Sequence, residues 1–334
     1  RPQEGAYQTR FLGFELEPSE GRYQVSHIYR DGPADKEWLD IKVGDFVLAL
    51  DGQVVHTGDN YWEILNHTLN EFVTVQVADE SSGSGSRELR IRPVTSLNNI
   101  KYEEWVAKNR EFVERESDGR IAYVHIRSMN QPSLRRFENE INQFWNARGI
   151  VVDIRYNGGG NIDQQLIDIL ERRPYEFWNS RWDARTSGRR PRQAIAGPKV
   201  MLVNNRSGSD SEVTPMGFRD LGLGRIVGNP TGAAVIATGS YGLIHGGTIR
   251  TPGSLVVTWD PTKPNNYGIN LENYGVAPDV FVENTPNDEL AGFDRELKEA
   301  VDEALRMLAE GGWRFVTPPE SGGVRNGRGI GGMR

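Results

Sequence analysis

The sequence has no cysteine, which excludes disulfide bonds, a thiolate nucleophile and every metal site built on cysteine. It has only five histidines, and no two of them lie three to five positions apart, which excludes a local His-x-x-x-His metal motif. No apolar run approaches the roughly 18–20 residues of a membrane-spanning helix. Residues 1–23 carry charges throughout instead of the apolar core of a signal peptide. No metal or cofactor is implied.

The composition is otherwise that of a globular protein. Hydrophobic residues make up 37% and charged residues 25%, and the length corresponds to roughly two domains. Acidic residues outnumber basic ones by 46 to 39, and the net charge of −7 argues against nucleic acid as a partner. Because the chain opens on Arg1, in sequence of structured character, we expect a piece of a longer protein. We expect the cytoplasm as its compartment, with the periplasm left open if a signal region lies upstream.

The first hundred residues are typical of a small β-rich domain. Asp51-Gly52 is a tight-turn pair after one strand, and Ser81–Ser86 is a low-complexity loop between two others. Asn60–Leu69 has the apolar spacing of a short helix. Short apolar segments between turn residues predict the strands, which are Phe11–Leu16, Tyr23–Tyr29, Phe46–Leu50, Phe72–Val77 and Leu89–Ile91. We place this domain at residues 1–97.

From residue 101 onward, predicted strands alternate with helices, a pattern that indicates βαβ units and a parallel sheet. The strands are almost continuously apolar, and they are Ile121–Ile126, Ile150–Ile154, Val200–Val203 and Arg225–Gly228. The helices have one apolar face, and they are Leu134–Arg148, Ile162–Leu170, Glu212–Leu221 and Asp294–Ala309. We place this α/β domain at residues 98–316, followed by a flexible tail at 317–334 that is rich in proline, glycine and arginine.

Two strand-to-helix turns contain the residues best suited to catalysis. Asp153–Gly160 ends a buried strand with three glycines, which either form a plain turn or let amides approach a ligand. Asn204–Glu212 places Ser209 before a helix, as a nucleophile elbow or as part of a capping box with Glu212. Parallel sheets place their sites at the carboxyl ends of strands, where both turns lie. One turn could supply the nucleophile and the other the oxyanion donors.

Five segments together carry a family pattern. They are Tyr123–Ile126, Asp153–Gly160, Gly208–Glu212, Leu221–Gly224 and Glu272–Val276 followed by Pro278-Asp279. With these segments, the chain from Phe11 to about Leu308 resembles the C-terminal-processing serine peptidases, and within them the tricorn branch. The resemblance implies an α/β fold, α+β overall, in which a β-rich PDZ-like domain is followed by a ClpP/crotonase-like α/β serine-peptidase domain.

The resemblance also implies roles for individual residues. Ser209 matches the nucleophile of the family. The amides of Asp210 and of one glycine in the Gly158–Gly160 turn would form the oxyanion hole, and we favour Gly160 because it lies nearest the helix start. Glu272 matches the glutamate of the tricorn charge-relay set, and without the resemblance it would be read as an ordinary surface carboxylate.

The general base is the missing part of this set. In the processing peptidases a lysine follows the serine by about 25 residues, where this chain has Ala234, and there is no lysine between Lys199 and Lys263. The tricorn branch instead uses a histidine from a helical domain that precedes the PDZ domain. We therefore expect the base from an absent upstream segment or from another chain.

The resident histidines are weak candidates for that base. His125 falls in a buried strand and is expected to be a core residue, whereas His245 falls in a hairpin-like turn and is expected to be exposed. The other three histidines, His27, His56 and His67, lie in the predicted PDZ-like domain.

By resemblance, a peptide would bind the first domain as an added β-strand. Phe11, Leu12, Gly13 and Phe14 resemble the loop whose amides capture a peptide C-terminus, and Val43–Gly52 resembles the strand and turn that follow it in a PDZ domain. The alternative is a PDZ-like domain that positions its neighbours and binds nothing.

The specificity pocket is predicted after the glycine turn, where tricorn-like enzymes carry an acidic residue that favours basic P1 side chains. Glu176 and Asp183 are the candidates, beside a basic run of Arg181, Arg185, Arg189, Arg190 and Arg192 that alternatively forms a solvated loop. The function predicted is a serine endopeptidase acting on oligopeptides or unfolded polypeptides, homo-oligomeric in its full-length form. The alternative is a non-enzymatic peptide-binding PDZ module on an inactive peptidase scaffold.

Overall fold

The computed structural model describes residues 8–67, 70–144, 146–178, 188–313 and 315. The chain divides into two compact units, one ending at Lys108 and one beginning at Asn109. The division falls inside helix α2 (Asn98–Ser117), which the sequence analysis missed because few of its apolar residues share one face: Val106 and Val113 are the buried aliphatic residues. The predicted boundary at 97/98 stays a prediction, and the predicted tail at 317–334 lies outside the described residues.

The first unit is an antiparallel sheet with one short helix, as the sequence predicts. Its strands are β1 (Phe14–Ser19), β2 (Arg22–Ile28), β3 (Phe46–Leu50), β4 (Gln53–Val54), β5 (Val73–Ala78) and β6 (Arg87–Ile91), and its helix is α1 (Trp62–His67). The strand order is β1-β2-β3-β5-β6, with β4 paired to β3. Alternate residues of β5, namely Val73, Val75 and Val77, are fully buried and form the centre of this core.

The second unit is built on a five-stranded parallel sheet with the order β17-β12-β11-β8-β7. Its strands are β7 (Ile121–His125), β8 (Gly149–Asp153), β11 (Lys199–Val203), β12 (Arg225–Gly228) and β17 (Val280–Phe281). The helices after α2 are α3 (Gln131–Gln143), α4 (Asp163–Leu170), α5 (Asp210–Asp220), α6 (Pro286–Leu290) and α7 (Arg295–Glu310). Strands β7, β8 and β11 are buried along their length, which confirms the α/β prediction. In the described ranges, no helix is long and apolar enough to cross a membrane.

Three antiparallel hairpins complete the second unit: β9 (Glu176–Trp178) with β10 (Gly188–Arg190), β13 (Ile236–Gly242) with β14 (Thr248–Leu255), and β15 (Val257–Trp259) with β16 (Tyr267–Asn270). We call the β13–β14 hairpin, Ile236–Leu255, the arm. Residues 237–255 are all exposed, His245 among them, as the sequence predicts for that histidine.

A buried ionic cluster fixes the carboxyl end of β8. The Arg155 guanidinium is 1% exposed and donates to Asp153, Asp294 and Glu296 at 2.8–3.1 Å. Burial opposes ionisation of Asp294, but the adjacent guanidinium holds the pKa of that carboxyl below its ordinary value. Asp294 also caps α7 by accepting from Leu297 N at 3.0 Å. The cluster therefore joins the end of β8 to the closing helix α7.

Candidate active site

Ser209 lies in a strained turn between β11 and α5. Its backbone angles are φ 57° and ψ −123°, and residues with a Cβ rarely adopt a positive φ. Helix α5 begins at the next residue, Asp210, so the serine stands at the helix N-terminus and is half-buried. Such strain persists only where the surroundings over-determine it, and it concentrates at functional sites. This is the geometry of a nucleophile elbow.

The glycine turn Gly158–Gly160 packs directly against this serine. A Cβ built on Gly159 would lie 2.6 Å from Ser209 Cβ and 3.0 Å from Asp210 N, and the φ of Gly159 is +101°. Only glycine fits a position that is both crowded and left-handed. The two turns that the sequence analysis placed at one sheet edge are therefore in contact. We call them together, residues 156–160 and 204–210, the serine edge.

Two amides of the serine edge are candidates for an oxyanion site. Among the described residues, the amides of Gly160 and Asp210 donate no hydrogen bond, whereas Gly159 N donates to Asn157 Oδ1 at 2.9 Å. Asp210 N is the first amide of α5, where the helix dipole favours negative charge. This arrangement is consistent with the predicted donors, Gly160 and Asp210, and it gives Gly159 a packing role that the sequence did not reveal.

Two asparagine side chains hold the turns in place. Asn157 donates from Nδ2 to Ile126 O at 2.8 Å, and its own carbonyl accepts from Gly208 N at 3.0 Å. Asn204 Oδ1 accepts from Tyr156 N and Arg206 N, both at 3.1 Å, and so joins one turn to the other. The sequence analysis did not single out these residues. The sequence did contain a signal for these two roles, because an asparagine that follows a strand commonly forms hydrogen bonds with nearby backbone groups.

The Glu212 carboxylate ties the elbow to the segment after β12. It is fully buried and accepts from Ser209 N at 3.1 Å, Ala233 N at 2.8 Å, Ala234 N at 2.9 Å and the Thr231 hydroxyl. Its bond to Ser209 N is the glutamate half of the capping box that the spacing predicts. The capping reading and the elbow reading are therefore compatible, because one motif serves both.

Glu272 is connected to the serine through residues 233–235. Its Oε2 accepts from Val235 N at 2.7 Å, and the neighbouring Ala234 O accepts from Ser209 N at 3.1 Å. Asn273 N donates to Ala233 O at 2.9 Å, which binds the two segments together. Glu272 is half-buried and its carboxylate is hydrogen-bonded to the backbone, unlike an ordinary surface carboxylate. Its role in a charge-relay set stays a prediction.

The position of Ala234 bears on the choice of base. Ala234 bonds both to Ser209 and to Glu212, so the position that carries lysine in the processing peptidases lies beside the serine here and carries no amine. Burial lowers the pKa of Lys199 to about 8, a value suited to a base. However, Lys199 begins β11, and four residue steps of strand place it about 13 Å before the end that leads to Ser209.

The resident histidines fall where the sequence predicts. His125 is 5% exposed in β7, and its Nε2 lies 3.0 Å from Arg155 O. Burial lowers its pKa. β7 is two strands from β11, about 10 Å across the sheet. His27 pairs with Glu104 inside the first unit.

Of the two predicted specificity residues, the structure describes Glu176, which is not bonded to the serine edge. Glu176 is exposed in β9, and its Oε2 accepts from Trp178 Nε1 at 2.9 Å. No hydrogen bond or ion pair of the described residues connects it to the Ser209 turn. Asp183, Arg181 and Arg185 lie outside the described residues. The specificity assignment therefore stays a prediction.

The first unit contains a groove beside the predicted carboxylate-capture loop. A cavity of about 130 Å³ lies between β1 and α1, with Phe14, Leu16 and Trp62 in its walls. β1 is an edge strand, so one of its edges is open to a further strand. Phe11 N donates to Val94 O at 2.8 Å, whereas the amides of Leu12 and Gly13 donate no bond in the described part of the chain.

Comparison with known proteins gives consistent matches. A model of peptidase family S41 matches residues 120–282. The tricorn protease of Thermoplasma acidophilum is 29% identical over 265 residues, covering 79% of this chain and 24% of that protein. Tricorn protease homolog 1 of Streptomyces coelicolor is 33% identical over 271 residues, covering 81% and 25%.

The fold agrees with these matches. The crystal structure of the tricorn protease superposes with a TM-score of 0.79 at 26% identity, covering 90% of this chain and 29% of that one. This chain spans about a quarter of the length of the tricorn relatives. With its antiparallel PDZ-like unit followed by a parallel α/β unit that carries the Ser209 elbow, the chain belongs to peptidase family S41 and is a homologue of the C-terminal region of tricorn proteases.

Proposed function

We propose that the chain carries the nucleophile of a serine endopeptidase that acts on oligopeptides or unfolded polypeptides. The observation that carries the proposal is the strained elbow at Ser209, in contact with the glycine turn and beside the unbonded Gly160 and Asp210 amides of the described chain. A plain helix cap requires neither the strain nor a glycine pressed against the serine. Membership of a peptidase family supports the same reaction.

In the proposed reaction, Ser209 Oγ attacks the carbonyl carbon of the scissile peptide while a base takes the hydroxyl proton. The carbonyl oxygen becomes an oxyanion between the Gly160 and Asp210 amides. The base returns the proton to the leaving amine, the C–N bond breaks, and an acyl group remains on Ser209. Water releases it by the same steps. Each oxyanion donor would contribute about 2.7–4 kcal/mol to stabilising the transition state.

We propose that the base is a histidine from an upstream domain or from another copy in a homo-oligomer. Ala234 in place of a lysine beside Ser209 supports a base that comes from elsewhere. Glu272, whose carboxylate accepts from Val235 N in the adjoining segment, would orient that histidine. A carboxylate that orients the base is the usual third member of such a set.

Labelling with a peptidyl phosphonate, read by mass spectrometry, tests the proposal. We expect labelling of Ser209 when the chain is combined with its upstream region, slow labelling without it, and none in Ser209→Ala. Ser207→Ala is the matched control, since Ser207 is fully buried two residues earlier and donates to Ile154 O at 3.0 Å. No labelling of Ser209 with the upstream region present would refute the enzyme.

The second candidate is a peptide-binding module, and the groove beside β1 favours it. In the described part of the chain the amides of Leu12 and Gly13 donate no hydrogen bond, and they lie at one end of the open edge strand β1, beside a groove lined with apolar side chains. This arrangement suits a peptide that ends in a carboxylate. The two candidates are compatible, because binding in the first unit and cleavage in the second use different residues.

Titration with one peptide bearing either a free or an amidated C-terminus tests this candidate. Carboxylate capture predicts affinity at least about tenfold higher for the free acid, since charge-assisted hydrogen bonds to amides would be lost. Equal affinity for the two peptides would remove capture by the Phe11–Phe14 loop.

A further inference from the structure

The carboxylate of Asp210 joins the Ser209 turn to the residues that follow the glycine turn. Its Oδ2 accepts from Ile162 N at 2.7 Å and from Asp163 N at 3.3 Å. These amides lie at the start of α4, which begins at Asp163 and follows the glycine turn after two intervening residues, Asn161 and Ile162. The N-terminus of α4, which the sequence analysis considered as an anion site, thus holds a carboxylate of the chain itself.

The setting of this carboxylate is unusual for a surface helix cap. Asp210 is 6% exposed, and burial, helped by the adjacent Asp163 carboxyl, raises its pKa to about 6. Its main-chain carbonyl accepts from Thr214 Oγ1 at 2.8 Å inside α5, which holds the residue to its own helix. Burying a carboxylate costs stability unless its oxygens are hydrogen-bonded, and here the two amides at the start of α4 supply those bonds.

We infer that Asp210 is a positioning residue for the oxyanion hole through its side chain, in addition to supplying one donor amide. This inference rests on the proposed function. The side chain fixes Ile162, which is two residues after Gly160, and the amide of Asp210 is attached to the same Cα as that side chain. One residue therefore sets the separation between the two donors. Asn161 N, which donates to Met129 O at 2.9 Å, holds the same segment from its other side.

A role of Asp210 in positioning the two donor amides and a role in stability alone predict different effects on ligand binding. If Asp210 only caps α4, then its removal weakens every ligand equally through loss of folded protein. If Asp210 sets the donors, then its removal weakens a tetrahedral, negatively charged adduct and leaves planar ligands unaffected, because only the former uses both amides.

Two ligands with one peptide sequence distinguish these cases in the full chain combined with its upstream region. The first is a peptide boronic acid, which forms a tetrahedral adduct on Ser209 Oγ. The second is the corresponding peptide amide, which is planar and uncharged. For Asp210→Ala we expect boronate affinity at least about tenfold weaker and peptide amide affinity within about twofold of the wild type. Asp210→Asn, which keeps an acceptor for Ile162 N, should recover most of the boronate affinity.

Two control variants distinguish a failure of the positioning role of Asp210 from a failure of the proposed function. Asp168→Ala removes an exposed aspartate from the same helix α4 and should change neither affinity. If Asp210→Ala binds the boronate as tightly as the wild type, or loses both ligands equally, then the inference is overturned and the proposed function stands. If wild type and Ser209→Ala bind the boronate equally, then the proposed function fails, and the inference fails with it.

Discussion

The serine edge and the arm belong to the same unit of the chain, yet they are built by opposite means. Around Ser209, four polar side chains (Asn157, Asn204, Asp210 and Glu212) bond to main-chain groups of neighbouring turns. The arm begins two residues after Ala234 and is a main-chain ladder from Ile236–Leu255 to Gly242–Thr248, with every residue from 237 to 255 exposed. Strain at Ser209 can persist in the first region because it is over-determined, whereas the second could not sustain it.

Gly159→Ala should break the serine edge most severely. The new Cβ would lie 2.6 Å from Ser209 Cβ at a φ of +101°, so the two turns must separate. We expect peptidase activity, measured with the upstream region present, to fall at least about 100-fold, as misplacement by about 1 Å can do. Gly158→Ala is the matched control, since a Cβ there meets nothing within 4 Å, and it should stay within about threefold of the wild type. Equal effects of the two variants would contradict the contact.

Glu212→Ala should destabilise the second unit next most strongly. It leaves the amides of Ala233 and Ala234 and the Thr231 hydroxyl without their acceptor, whereas Ser209 N keeps its bond to Ala234 O, and we expect a cost of about 2–4 kcal/mol of unfolding free energy. Glu212→Gln keeps one acceptor oxygen and turns the other into a donor, so its loss should be intermediate. Chemical denaturation measures both, and a loss below about 0.5 kcal/mol for Glu212→Ala would show that the segment after β12 is held by other contacts.

How far the sequence predicts this site depends on the kind of contact. The two strand-to-helix turns and Ser209 were predictable, because buried apolar strands, glycines and a Ser-x-x-Glu spacing are local signals. The choice of Gly159 as the packing glycine was not, since three consecutive glycines look alike until Ser209 lies against one of them. Asp210 was predicted for its amide, whereas its side-chain bonds to Ile162 and Asp163 join residues 47 or more positions apart.

The fold shows the same limit. The strands β7, β8 and β11 were predicted nearly to the residue because burial on both faces makes them continuously apolar. Helix α2 was missed because its periodicity is weak, and the arm was anticipated only as a turn at His245. Both have few apolar residues packed in a core, and hydrophobic periodicity is silent about such elements.

Ser209→Gly tests the backbone strain at Ser209 through its effect on the free energy of unfolding. Glycine adopts φ 57°, ψ −123° without penalty, so it releases backbone strain that Ser209→Ala retains. Both variants lack the hydroxyl and should be inactive. We expect the free energy of unfolding of Ser209→Gly, measured by thermal or chemical denaturation, to be about 1 kcal/mol higher than that of Ser209→Ala. The reverse order would show that the elbow is unstrained.

The smallest effect is expected in the arm. Ile244 is 95% exposed, so Ile244→Ser should change the free energy of unfolding by less than about 0.5 kcal/mol. Val235→Ser, at a position 1% exposed just before the arm, is the contrasting variant and should cost more than about 1 kcal/mol. A large loss at Ile244 would mean that the arm is packed in solution and that the contrast with the serine edge is false.

The most direct test of the account is a crystal structure of the chain with a peptide boronic acid bound. The account predicts boron bonded to Ser209 Oγ and one boronate oxygen about 2.7–3.1 Å from both Gly160 N and Asp210 N. Asp210 Oδ2 should remain on Ile162 N, as it is at 2.7 Å here. A boronate oxygen that points away from these two amides, or boron bonded to a residue other than Ser209, would contradict it.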